Sequence, residues 1–174
     1  MDPAAAIIVS LSLVAAATVI GLAWRARTGR VRATDTTDAV AGSRDDTELA
    51  ELLAFADDSA EAADPSDGRG PADADRPAPI VTLLQFSTDH CTSCGPTRRA
   101  LQRLAADRPG VVHAEINLER HPQLASRLGI MQTPTTLIFD RAGTRRGRIG
   151  GAPRIPGLVA TIAALQEEDH AVTI

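Results

Sequence analysis

The sequence predicts an α/β domain of order β-α-β-α-β-β-α, preceded by one membrane-spanning helix and a disordered acidic linker. Three observations point there. Residues 7–24 carry no charged side chain. Residues 33–79 hold thirteen acids against three arginines, in a background of Asp, Ala, Pro, Gly and Ser. From Ile80 onward, apolar runs of strand length alternate with segments of helical periodicity. The formal charge of −4 over 174 residues therefore averages three unlike blocks of +3, −10 and +3, covering 1–32, 33–79 and 80–174.

In the first block, only Ser10, Ser12, Thr18 and Gly21 interrupt the small and aliphatic side chains between Ile7 and Trp24. As a helix this stretch is about 27 Å long, close to the ~30 Å hydrocarbon core of a bilayer. A cleaved signal peptide would need a cationic start, and Met1-Asp2-Pro3 supplies none beyond the amino terminus. Positive charge follows the segment instead, at Arg25, Arg27, Arg30 and Arg32, with Trp24 at the boundary. Arginines flanking a span are retained in the cytoplasm, so the expectation is a single-pass protein of the cell membrane with its domain on the cytoplasmic side. The alternative places the domain outside.

In the second block, low hydrophobicity and self-repelling charge cannot offset the entropy of ordering, so 33–79 is expected to be a disordered tether. Within it Thr47 can cap a short amphipathic stretch bearing Leu49, Leu52, Leu53 and Phe55. Alone that stretch is too short for a stable helix in water, and a transient helix is expected. As a flexible coil the 47 residues would span roughly 40 Å and let the domain sweep beside the membrane.

The third block is read element by element. Residues 80–87 form an apolar run suited to a strand covered on both faces. Residues 97–107 place Ala100, Leu101, Leu104 and Ala105 on one helical face, and Pro109-Gly110 ends the helix. Strands are expected at 111–118, 134–140 and 144–149, the last two joined by a turn at Ala142-Gly143. A short helix at 121–128 ends at Gly129, and an amphipathic helix covers 156–168. With aromatics at 2% of the chain, the core must be built from aliphatic side chains, with Phe86 and Phe139 as its only rings. The same scarcity, with no recognisable motif, excludes nucleic-acid binding.

The chemistry gathers at Cys91-Thr92-Ser93-Cys94, where the first strand of this block turns into a helix. Two cysteines this close cannot staple a disulfide-framework scaffold. Strand ends are where α/β sheets carry function, and a helix N-terminus stabilises a thiolate, drawing the first thiol down from ~8.5. A dithiol spaced i, i+3 at such a turn can close a small disulfide. Half a zinc site and a pair of inert buried thiols are the other readings. A structural zinc needs four ligands, and no second cysteine pair exists to complete them.

The stretches 81–104 and 117–137, with Phe139 and Gly150-Gly151, resemble the thioredoxin family, and the likeness covers about residues 79–168. With the apolar, Arg-flanked amino terminus, the chain is similar to membrane-tethered thioredoxin-like proteins of actinobacteria. The resemblance implies a central mixed four-stranded sheet flanked by helices. It implies a protein-disulfide reductase or thiol-disulfide oxidoreductase in which Cys91 attacks and Cys94 resolves, with no cofactor beyond that redox-active pair. It makes the Thr133–Pro134 peptide cis, exposing the Thr133 backbone to a substrate segment, and assigns Gly151 to leaving room for the substrate chain. Partners implied are disulfide-containing protein substrates and a thioredoxin-reductase-like or other dithiol electron donor, with the protein acting as a monomer.

The departures are equally specific. His90 stands where the family has Trp, and its imidazolium can steady the Cys91 thiolate or simply face water. Thr92-Ser93 replaces Gly-Pro between the cysteines. Gln85 stands at the place of the family's buried Asp, and Glu115 at that of a Lys; Glu115 is either a substitute base or a strand-end carboxylate facing water. A redox-inactive or redox-sensing interaction module held at the membrane is the competing function.

Overall fold

The computed structural model describes residues 3–33, 50–56 and 79–172. The chain runs α1 (Pro3–Arg27), β1 (Arg32–Ala33), α2 (residues 50–56), β2 (Val81–Ser87), α3 (Cys94–Ala106), β3 (Val111–Asn117), α4 (Pro122–Arg127), β4 (Thr135–Asp140), β5 (Arg145–Gly150) and α5 (Ile155–Val172). All seven elements expected after residue 79 form, with ends shifted by a few residues.

The sheet has the order β1-β5-β4-β2-β3. β2 pairs parallel with β3, whereas β2–β4 and β4–β5 are antiparallel, so the sheet is mixed. β2 is central and buried along its whole length, which is why it reads as a continuous apolar run rather than an alternation. Alternate side chains divide the core in two. Leu84, Phe86, Ile116, Leu137 and Phe139 face one way and pack with Leu124 of α4. Val81, Leu83, Ile138 and Ile149 face the other and pack with Leu101 and Leu104 of α3 and with Leu158 and Ile162 of α5. The Pro109-Gly110 stop serves a further purpose, because the Gly110 carbonyl accepts from the amides of Ile80 and Val81 and so sets the register at which β2 starts.

Two expectations need correction. The expected mixed four-stranded sheet forms but gains a fifth strand at its edge: Arg32 and Ala33 pair antiparallel with Arg148 and Gly147 of β5, and Val31 packs against the α3/α5 side of the core. A two-residue strand containing arginine has no apolar alternation by which sequence could announce it. The short amphipathic stretch is also docked rather than transient. Leu52 is fully buried in the core under α4, Phe55 lies on the His121 ring at 4.8 Å between centroids, and Glu51 accepts from Arg127 at 2.7 Å. Tertiary burial supplies what seven residues of helix lack alone, and it gives the core a third phenylalanine. The rest of the expected disordered linker lies outside the described residues.

α1 is helical where a span was expected. Among the described residues no helix is long and apolar enough to cross a membrane. The large side chains of α1, including Ile7, Leu13 and Ile20, are 58–67% exposed on all sides of the helix.

Candidate active site

β2 delivers the chain to the start of α3, and the two cysteines sit on that turn. Cys91 and Cys94 are joined in a disulfide with their Cα atoms 5.4 Å apart. The turn is held by its own backbone: the Cys91 amide donates to Thr88 O at 3.2 Å, the Cys94 amide to Cys91 O at 3.1 Å, and the Thr97 amide to Ser93 O at 3.1 Å. Cys91 is half-buried, while Cys94 is only 3% exposed. That difference separates a sulfur a substrate can reach from one it cannot. Ser93 is the residue before α3, with its hydroxyl 3.7 Å from Cys91 Sγ. Thr92 is exposed.

The Thr133–Pro134 peptide is cis. Pro134 precedes β4, and its carbonyl accepts from the Gly151 amide at 2.8 Å. The Thr133 and Thr88 hydroxyls lie 3.3 Å apart, so the residue that fixes Cys91 from behind also touches the proline loop. Thr88 was not singled out by sequence reasoning, and nothing in its type or spacing marks it.

Beneath Cys94 lies a polar layer. Gln85 is fully buried on β2; its amide nitrogen donates to the Cys94 carbonyl and to Glu115 Oε1, each at 3.2 Å, and its oxygen lies 3.3 Å from His113 Nε2. Gln85 and Glu115 are direct partners in the β2–β3 ladder, which explains their meeting. Glu115 does not face water: its side chain is 14% exposed and is paired with the Arg98 guanidinium, whose Nε and Nη2 both reach it. Arg98 and His113 were missed as members. The periodicity of α3 does place Arg98 one turn past Cys94, and β3 places His113 two residues before Glu115, on the same face.

His90 is 93% exposed and faces Glu119, 3.3 Å from Nδ1. Among the described residues no hydrogen bond joins its ring to Cys91. Gly151 departs from expectation more clearly. Its φ of +84° requires glycine, but the space beside it is taken by the chain itself, since a Cβ there would meet Thr28 Cγ2 at 3.0 Å. Among the described residues no group of three or more His, Cys, Asp or Glu side chains is arranged to hold a metal ion.

Parallel β2–β3, antiparallel β4 and β5, a cysteine pair at the head of α3 and a cis-proline before β4 make up a thioredoxin-like fold. Among solved structures, the chain is similar to thioredoxins. Thioredoxin f2 of Chlamydomonas reinhardtii is 24% identical, matching 52% of this chain and 83% of its own at a TM-score of 0.45. The short form of spinach chloroplast thioredoxin f is 23% identical, with 51% and 79% covered and a TM-score of 0.45. The oxidised form of mitochondrial thioredoxin 3 from Saccharomyces cerevisiae is 21% identical, with 49% and 79% covered and a TM-score of 0.44. No family model matches the chain.

Proposed function

We propose that this chain is a thiol–disulfide oxidoreductase held at a membrane by α1, acting as a monomer on disulfide-containing proteins. One observation carries the reading: a closed Cys91–Cys94 disulfide at the head of α3, with Cys91 accessible, Cys94 buried and the Thr133–Pro134 loop attached through Thr88.

In the reduced protein, the free N–H groups at the start of α3 favour the Cys91 thiolate. That thiolate attacks one sulfur of the substrate disulfide. A Cys91–substrate disulfide forms, and the other substrate sulfur leaves as a thiolate. Cys94 then attacks Cys91 Sγ, and the second substrate sulfur leaves. Two electrons have passed to the substrate, and the Cys91–Cys94 bond seen in the structure is the oxidised product. A dithiol donor of the thioredoxin-reductase class reverses these steps and restores both thiols. The backbone of Thr133 offers a strand-like edge on which the substrate segment lies during attack.

Membrane attachment is supported by the exposure of apolar side chains all round α1, since such a surface is not stable against water. Arg25 and Arg27 at the end of α1, with Arg30 and Arg32 just after it, would be drawn to the anionic cytoplasmic leaflet, which favours a domain on that side.

The test of the enzyme is reduction of insulin disulfides by the full chain, with Cys91→Ser as control. Wild-type activity no higher than that of the mutant would overturn the reading and leave an interaction module. Alkaline phosphatase fused after Ile174 tests the side of the membrane: activity there would place the domain outside.

A further inference from the structure

Where α1 meets the domain there is a pocket of about 540 Å³. Its lining is divided. Ile20 and Ala23 of α1, with Met131 of the proline loop, give an apolar side, and Arg30, Arg32 and Arg148 give a cationic side. Among the described residues no acidic side chain lines it.

Some arginines of the domain are neutralised by carboxylates, and those of this cluster are not, among the described residues. Arg98, Arg127, Arg141 and Arg146 all pair with carboxylates. Arg30 and Arg32 have no ion-pair partner among the described residues. The β1–β5 ladder sets Arg32 directly opposite Arg148, and like charges in that position destabilise a strand pair. Arg148 cannot turn away, because its two terminal nitrogens donate to the carbonyls of Leu128 and Gly129 at 2.9 and 2.6 Å. Burial first, then the neighbouring Arg145 and Arg32, push its pKa down. β1 nonetheless pairs here, so an anion held between these side chains would make the junction more favourable.

We propose that this pocket binds a phosphate oxyanion carrying an apolar tail, the headgroup of an anionic phospholipid whose acyl chain runs beside Ile20 and Ala23. Guanidinium forks match phosphate oxygens in pairs, and Arg30 and Arg32 offer two such forks to one oxyanion. The split lining asks for a ligand that is anionic at one end and greasy at the other. Assigning it to a lipid rests on the proposed attachment of α1 to the membrane; the phosphate chemistry itself does not. Met131, 92% exposed, belongs both to this pocket and to the loop carrying Thr133, so the bound headgroup lies beside the substrate edge.

The experiment uses the full chain purified in a neutral detergent, with native mass spectrometry and calorimetry as readouts. Wild type is expected to retain one phosphatidylglycerol per chain and no phosphatidylcholine. Arg30→Gln/Arg32→Gln, folded by its melting curve, should lose that retention at least tenfold. Equal retention of the two lipids, or unchanged retention by the double variant, would overturn the proposal. Inorganic phosphate binding as tightly as phosphatidylglycerol would assign the pocket to a soluble phosphate and overturn the lipid. Retention that strengthens tenfold in Asp35→Asn/Asp38→Asn would mean the chain's own carboxylates fill the site, which also overturns it. Flotation with phosphatidylcholine vesicles reports separately on α1: loss of flotation with phosphate binding intact removes the membrane reading but not the anion site.

Discussion

The side-chain amide of Gln85 donates to the carbonyl oxygen of Cys94 at 3.2 Å, so the residue beneath the resolving cysteine is an uncharged donor rather than an acid. Gln85→Leu keeps the volume and removes the bonds to Cys94, Glu115 and His113. An unsatisfied buried group costs about 1–3 kcal/mol, and the urea midpoint should fall by that measure with the fold retained. An unchanged midpoint would mean the layer contributes nothing to stability.

Glu115 is held by Arg98 and Gln85 and makes no hydrogen bond to either sulfur among the described residues. Loss of a general base typically slows a reaction about 10²–10⁴-fold. Glu115→Gln should instead change the insulin-reduction rate at pH 7 by less than about tenfold, because its contribution is structural. A larger loss, with a shifted pH profile, would make Glu115 the proton acceptor.

The burial contrast between the cysteines predicts opposite phenotypes. Cys94→Ser should accumulate a mixed disulfide with substrate through Cys91, visible on a non-reducing gel, because nothing remains to resolve it. Cys91→Ser should accumulate none, since Cys94 is 3% exposed.

Leu52 is fully buried although it lies within the acidic linker. Leu52→Ala should destabilise the domain by about 2–4 kcal/mol and expose residues 50–56 to proteolysis. Full stability in the variant would show that α2 is not part of the folded unit.

Acid should loosen the same helix. Arg127 holds Glu51 below its usual 4.5, and Arg141 holds Asp169 of α5 below 3.8. A carboxylate with a depressed folded pKa stabilises the protein above its unfolded value and loses that effect as pH falls through the folded one. Chemical denaturation midpoints should therefore decline below about pH 4.5. Glu51 is exposed and Asp169 half-buried, so the part of the decline owed to Glu51 should shrink in high salt.

Periodicity made most of the domain legible. β2 read correctly because a strand covered on both faces is apolar throughout, and α3 because Leu101 and Leu104 recur at helical spacing. The cysteine pair and Pro134 were legible because their chemistry is local to a few residues. What stayed hidden depends on partners far apart in sequence. Leu52 became core only through Leu124 and Phe86. Arg32 became a strand residue only through Arg148. Gly151 was read as an open space for substrate, yet Thr28, more than a hundred residues earlier, stands there. Glu115 was legible as polar, but whether it met water was decided by Arg98 on a different element.

The pairing of β1 with β5 alters what the 47 residues after Arg32 are able to do. The Gly29 amide donates to Gly150 O, and the Arg154 amide donates to Gly29 O, each at 2.9 Å, so the chain is fastened to the sheet before the acidic stretch begins. Its length then sets no reach, since it departs from and returns to the same body. A protease that cut within 34–49 would break the covalent path between α1 and the cysteines without parting them. The two fragments would stay together as a split protein, joined by main-chain hydrogen bonds at the sheet edge.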